Sequence, residues 1–277
     1  MSDGEQLEYE EESGRQQQVP QSSGSDLPVK EGAVFGAIAV VATYLTHLLV
    51  TAVVAGRTSP ETYIDESGDS PALVVTDLVP SWIAAGWSYL STFGVGFEAS
   101  GEAATLGDAP NNVAAMANSP FMLSDTLLFV ATIGSVVAAG YAVASYTDAD
   151  DPVEAVKAAV TVVPPYLVFG AIAAFLMTHT FSDQHLVRTI VGQPLEVAME
   201  RPNPSPLNEL GTVRALDAEQ FVNDDGEITG SIDFGPSTTD AILFAGIVIP
   251  AVLAAAGGLV TQWRDAVNTA VAKVSER

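Results

Sequence analysis

The sequence predicts an all-α membrane fold: four transmembrane helices in a bundle, with an interfacial aromatic helix and a small extracellular β-hairpin region. Three observations predict it. Four apolar runs of about 20 residues carry no Asp, Glu, Lys or Arg, and that is the length a hydrocarbon core about 30 Å thick requires at a helical rise of 1.5 Å. A formal charge of −24 coexists with 48% hydrophobic residues, because the acids lie between and outside those runs. The last run closes on Trp263-Arg264, an aromatic anchor followed by a cation able to reach the headgroups.

The expected spans are residues 33–56, 127–146, 158–178 and 241–260. The second starts after Ser124-Asp125, read as its cap, and the fourth after Pro236 to Asp240. Residues 1–31 place acid where a secretory signal has its basic region, so they are expected to be a disordered acidic tail, with the first span acting as an uncleaved address. Residues 264–277 form the other tail. With both termini cytoplasmic, six cations (Arg15, Lys30, Lys157, Arg264, Lys273, Arg277) fall inside and four (Arg57, Arg188, Arg201, Arg214) outside. A fifth span would make the split five to five, so the charge bias selects four spans in a multi-pass cell-membrane protein.

Leu73 to Phe97 is the segment that competes for a fifth span. It carries Asp77, Pro80, Trp82, Trp87 and Tyr89. Trp and Tyr favour the headgroup zone, and Asp77 to Pro80 reads as a helix start with proline in the first turn. A helix lying in the interface, or dipping partway in, is the expectation. The two outer regions are then 57–126 and 182–236, about 125 residues in all. Within them, 98–120 reads as loop and Arg201 to Pro206 as extended, because three alternating prolines forbid helix. Phe221 to Phe234 reads as a hairpin turning at Asn223-Asp224-Asp225-Gly226, with its returning strand at Glu227 to Ile232.

Two sets of residues are candidates for function. Thr43, His47 and Thr51 fall at i, i+4 and i+8 of the first span, a polar stripe on one helix face. An ionisable group at that depth marks a pathway in some proteins, while a neutral imidazole bonded to hydroxyls simply joins helices. Pro164 and Pro165 in the third span and Pro250 in the fourth predict helix breaks, of the kind that open substrate sites in transporters and also occur in inert bundles. Small residues at four-residue spacing (Gly134, Ala138, Ala142; Gly170, Ala174; and, with Pro250 between the first two, Gly246, Ala254, Gly258) predict close helix packing or self-association.

Composition excludes several functions. There is no cysteine, hence no disulfide, thiolate metal site or cysteine nucleophile. The charge argues against nucleic acid. Three lysines against 34 acids point to a very salty cytoplasm, where the Debye length shrinks to about 3 Å and carboxylate repulsion is screened. Placing Gly226 at the sixth position of a calcium loop puts Phe221 first and Ile232 twelfth, which removes two ligands. His179 and His185 lack zinc spacing, and no phosphate loop or G-x-S-x-G element is present. No catalytic, cofactor or metal residue is therefore assigned.

The first span, Pro80-Ser81-Trp82-Ile83-Ala84-Ala85-Gly86-Trp87, Val162-Val163-Pro164-Pro165-Tyr166 and Ala256-Gly257-Gly258 together resemble a family of uncharacterised haloarchaeal membrane proteins, some labelled transporters. The resemblance covers about half the chain and implies no established activity. In that family a histidine follows the glycine-tryptophan element; Tyr89 to Phe93 offers none here, so no role transfers. The expected function is a non-enzymatic accessory or assembly subunit in the lipid bilayer, bound to another membrane protein or to itself. The alternative is a small oligomeric transporter or channel using the proline-broken third and fourth spans.

Overall fold

The computed structural model describes residues 27–56, 63–65, 72–74, 76–112, 122–149, 151–191, 213, 216–217, 220–221, 223 and 229–275. It is mostly helical. Among the described residues, four helical stretches are long and apolar enough to cross a membrane: Val29–Ala55, Ser124–Tyr146, Pro152–Leu176 and Thr238–Trp263. Helix α1 (Val29–Ala55) starts ahead of the expected span, so Lys30 and Glu31 belong to its first turn rather than to a tail. Helix α2 (Ser81–Ser91) is short, and α3 runs Met122–Tyr146. Ser124 and Asp125 are thus not caps; they lie inside the first turn of α3, where an acid still meets the positive end of the helix dipole.

The third stretch also starts early. Asp151 caps α4 (Pro152–Ala159) by accepting the N–H groups of Val153 and Glu154, with Pro152 supplying a preset φ at the first position. A 3-10 turn, Val160–Val162, leads into α5 (Val163–Leu176). The fourth stretch is α7 (Thr238–Asp240), a π-helical segment Ala241–Val248, and α8 (Ile249–Ser275). The helix therefore continues into the expected C-terminal tail.

The four stretches pack by backbone approach. A Cβ on Gly257 would collide with the Val137 carbonyl oxygen and lie 2.9 Å from the Tyr141 nitrogen; one on Gly140 would collide with the Ala254 carbonyl oxygen. These contacts join α3 to α8 with nothing but backbone between them. Of the predicted small-residue sets, Gly170 meets Gly246 and the Ala241 carbonyl, and Gly258 meets Ala155. Among the described residues a Cβ on Gly134 would meet nothing within 4 Å, and Ala138 is exposed, so these two members of that stripe face away from the bundle.

Outward faces carry large apolar side chains. On α1 these are Val34, Ile38, Val41, Leu45, Leu49 and Val53, all at least half exposed. Leu127 and Val130 on α3, Ile172 and Phe175 on α5, and Val252 and Val260 on α8 continue the belt. Inside, the same helices bury Thr43, His47, Thr51 and Thr132. The outward belt is thus apolar, while the mainly apolar interior takes in a few polar side chains.

One end of the bundle is covered by a four-stranded antiparallel sheet. After a separate hairpin of β1 (Tyr63–Asp65) and β2 (Ala72–Val74), strands β3 (Phe97–Ala99), β4 (Glu102–Ala104), β5 (His179–Phe181) and β6 (Ile232–Pro236) line up in the order β4-β3-β6-β5. Ala99 and His179 both register with Phe234 on the central strand. The returning strand expected at Glu227 to Ile232 is corrected to Ile232–Pro236, while most of the predicted turn lies outside the described residues. Thr229 donates to the Phe221 carbonyl, but the strand begins at Ile232 and pairs with β3 and β5, far away in sequence; residues 224–228 and the prolines at 202, 204 and 206 lie outside the described residues. Residues 98–104 form a hairpin where loop was expected. Ser100 and Gly101 turn it with φ 46° and 89°, the paired positive values of a twist-matched two-residue turn.

Helix α2 lies under this sheet and against α1. Every residue from Ile83 to Leu90 is buried, whereas a helix lying in an interface would keep one face wet. Only Trp82 is well exposed. Pro80 is the residue before the helix rather than in its first turn. Asp77, at φ 47°, does not start α2: its carboxylate accepts the N–H groups of Ser182 and Asp183, each at 2.6 Å. Asp183 in turn caps α6 (Gln184–Val191), which buries Leu186, Val187 and Ile190.

Candidate functional site

The buried face of α1 repeats every three or four residues: Gly32, Gly36, Ala39, Val40, Thr43, His47, Thr51, Val54. That spacing keeps one face toward its neighbours and places the polar stripe inside. His47 is fully buried between two other helices. Its Nδ1 lies 2.9 Å from the Ser88 hydroxyl on α2, and its Nε2 lies 2.9 Å from the Thr132 hydroxyl on α3. A neutral imidazole has one donor and one acceptor nitrogen, and a hydroxyl can serve either, so both nitrogens are satisfied without a charge.

The stripe does not converge on one point. Thr43 turns back on its own helix and donates to the Ala39 carbonyl at 2.6 Å. The Thr51 hydroxyl is buried with no hydrogen-bond partner among the described residues. Around His47 stands an aromatic shell. Tyr89 meets the imidazole edge-on at 5.4 Å and packs on Tyr44, Phe93 and Phe169, while Phe93 reaches Tyr166. Trp87, fully buried one residue from Ser88, donates its indole N–H to the Met177 carbonyl at 2.7 Å and rests on Phe97 and Phe234 of the sheet. The sheet thereby fixes α2, and α2 fixes Ser88 against His47.

The proline positions lie elsewhere. Pro164 and Pro165 have no N–H for the carbonyls four residues earlier, and the chain tightens into the 3-10 turn immediately before them, where Val163 donates to Val160. Gly36 sits against this turn, close enough that a Cβ there would collide with the Val162 carbonyl oxygen. Pro250 is buried and follows the π-helical segment, whose last bond runs from Ile249 N–H to the Phe244 carbonyl. The wider turn shifts partners by one residue ahead of the missing donor. The two irregular stretches belong to packed neighbours, through Gly170 and Gly246.

Chemically, the His47 centre is a hydrogen-bonded join of three helices. Sequence reasoning found His47 but missed Ser88 and Thr132, which sit 41 and 85 residues away with no local signal, and it read Trp87 and Tyr89 as interfacial. Among the described residues no three His, Asp or Glu side chains are grouped to hold a metal; His179 instead lies 3.2 Å from the Asp77 carbonyl. His47→Ala is expected to lower stability by about 1–3 kcal/mol, since it leaves two buried hydroxyls unpaired and a void beside Tyr89. Thermal unfolding should show that loss, and an unchanged midpoint would mean the join carries no weight.

Fold and site define a class: a mostly helical protein with four helices long and apolar enough to span a membrane, roofed at one end by a small antiparallel sheet. The chain belongs to a family of unknown function, DUF7978, whose model matches residues 11–265. No curated protein and no solved structure matches it.

Proposed function

We propose that this is a non-enzymatic integral membrane protein that crosses the bilayer four times and acts as an accessory or assembly subunit, presenting its sheet-covered end outside the cell. The apolar outward belt carries the membrane reading. Exposed Leu, Ile, Val and Phe ring the helices while His47, Ser88 and Thr132 satisfy one another inside, which is the distribution that lipid as solvent demands. The accessory reading rests on how the interior is used. Its one buried histidine is a structural join, and at the sheet end the Asp77 carboxylate ties its segment to that of Ser182 and Asp183, which gives that end a fixed surface. The acid excess supports a salt-rich setting.

A second reading, a small oligomeric transporter or channel, draws on one observation: the 3-10 turn and the π-helical segment interrupt two adjacent helical stretches. Broken helices expose backbone groups that can coordinate a solute.

Because the chain has no cysteine, single cysteines report topology directly. Glu102→Cys on β4 is expected to react with a membrane-impermeant maleimide in intact cells, and Glu154→Cys on α4 only after permeabilisation. Reaction of both from one side, or recovery of the protein without detergent, would overturn the four-span arrangement. Cross-linking from Glu102→Cys to a stoichiometric membrane partner supports the accessory role. Solute flux through vesicles containing only this protein would favour transport instead.

A further inference from the structure

The depth of α2 in the bundle follows from the helices beside it. At the end away from the sheet, Tyr146 and Trp263 are each about two-thirds exposed, and the Gln262 amide next to Trp263 donates to the Ala149 carbonyl just past Tyr146. Aromatic residues so placed mark a membrane–water boundary. Phe35 of α1 meets the Tyr146 ring of α3 at 6.2 Å, which ties α1 to that boundary. Tyr44 stands nine residues beyond Phe35, roughly 14 Å at about 1.5 Å each, and its hydroxyl donates to the Trp82 carbonyl on α2 at 3.1 Å. His47 and Thr132, which hold Ser88, stand roughly 18 and 21 Å from the same boundary. Trp82 and Ser88 therefore both lie inside a hydrocarbon layer about 30 Å thick, Trp82 near its middle. The reach of a phenol is too short to carry Trp82 out of that layer.

We propose that α2 is a re-entrant helix, and that Leu78 and Trp82 at its entry form a contact surface for the acyl chains of the leaflet nearer the sheet. This rests on the four-span reading above. Leu78 is 53% and Trp82 44% exposed, whereas Ile83 to Leu90 are sealed in protein. At the depth of Trp82 the belt of α1 presents Val41 and Leu45, so the exposed indole extends a surface that already faces hydrocarbon. Backbone groups at such depth must be satisfied within the protein, and the non-helical return from α2 meets that requirement. Phe93 and Gly94 donate to the Leu90 and Ser91 carbonyls, the Asp240 carboxylate accepts the Gly96 N–H, and the Gly96 carbonyl accepts from Ser237.

Tryptophan fluorescence tests this, because Trp82, Trp87 and Trp263 are the three indoles of the chain. The full-length Trp263→Phe variant is reconstituted alone in phosphatidylcholine vesicles whose acyl chains carry bromine near the bilayer centre. It is expected to lose up to about half of its emission, since Trp82 meets the lipid and Trp87 is fully enclosed. Adding Trp82→Phe should abolish that loss, and aqueous iodide should quench neither variant. A Leu45→Trp probe in the doubly substituted protein separates this proposal from the four-span reading. Quenching of Leu45→Trp by bromolipid, with Trp82 quenched only by iodide, would overturn the re-entrant surface alone. If bromolipid quenched neither indole, the four-span reading would fall with it. Stronger quenching of Trp82 by bromine close to the headgroups than by bromine deep in the chains would put Trp82 at the interface and overturn the proposed depth.

Discussion

Gly257→Val is expected to prevent assembly of the helical bundle. Even a methyl group at this position would collide with the Val137 carbonyl oxygen of α3, and a branched side chain would add two more carbons to the same gap. The obstacle is backbone, which cannot turn away as a side-chain tip can. Overpacking a core typically costs about 1–3 kcal/mol where side chains can adjust. Here α3 and α8 must separate along a seam that also includes Gly140 against Ala254, so the cost should reach or exceed the upper end of that range. A loss of about 3 kcal/mol is a fifth or more of a net stability of about 5–15 kcal/mol. The measurement is recovery of monodisperse protein on size exclusion, expected to fall at least about tenfold on this argument. Gly134→Val on the same α3 is the control, since none of the described residues lies within 4 Å of its Cβ position, and it should behave as the parent. Equal recovery of the two variants would show that close α3–α8 approach is not required.

Trp87→Ala should have the second large effect, a loss of about 3–5 kcal/mol, the usual range for deleting a fully buried large aromatic. Trp87 is completely enclosed, and its ring is what the sheet rests on through Phe97 and Phe234. Its N–H is also the bond that ties α2 to the end of α5 at Met177. Trp87→Phe separates the two contributions: it keeps most of the apolar contact and loses the hydrogen bond, a net cost of about 1 kcal/mol. Thermal unfolding gives both values, and proteolysis gives their location. Trp87→Ala should expose the sheet end to cleavage while leaving the α3–α8 seam intact. Uniform protection would mean that the sheet is held without α2.

Trp87 also shows where sequence reading reached its limit. Tryptophan and tyrosine have one polar atom on an apolar body, and a sequence does not say whether headgroups or protein satisfies that atom. Placing Trp82, Trp87 and Tyr89 together suggested a boundary. In the fold Trp82 is exposed, Trp87 donates to a carbonyl 90 residues away, and Tyr89 is sealed among aromatic rings. Asp77 misled for a similar reason. Before a proline it resembles a helix start, yet its carboxylate serves two N–H groups more than 100 residues downstream. The β3–β4 hairpin was legible and overlooked, since Ser100-Gly101 is a suitable two-residue turn between strands.

Sequence alone determined the number and approximate positions of the four apolar helices, and the face of α1 that carries Thr43, His47 and Thr51. Helical hydrogen bonds close within four or five residues, so apolar length and periodicity are local quantities. Tertiary structure decided the rest: which hydroxyls hold His47, that β6 pairs with strands from two distant segments, and that the chain answers Pro164 with a tighter turn and Pro250 with a wider one. The first two outcomes depend on groups brought together across 40 to more than 130 residues of chain, through contacts that leave no periodic trace in the sequence; the turns at the prolines close within five residues, and there the sequence left open only which way the helix adjusts.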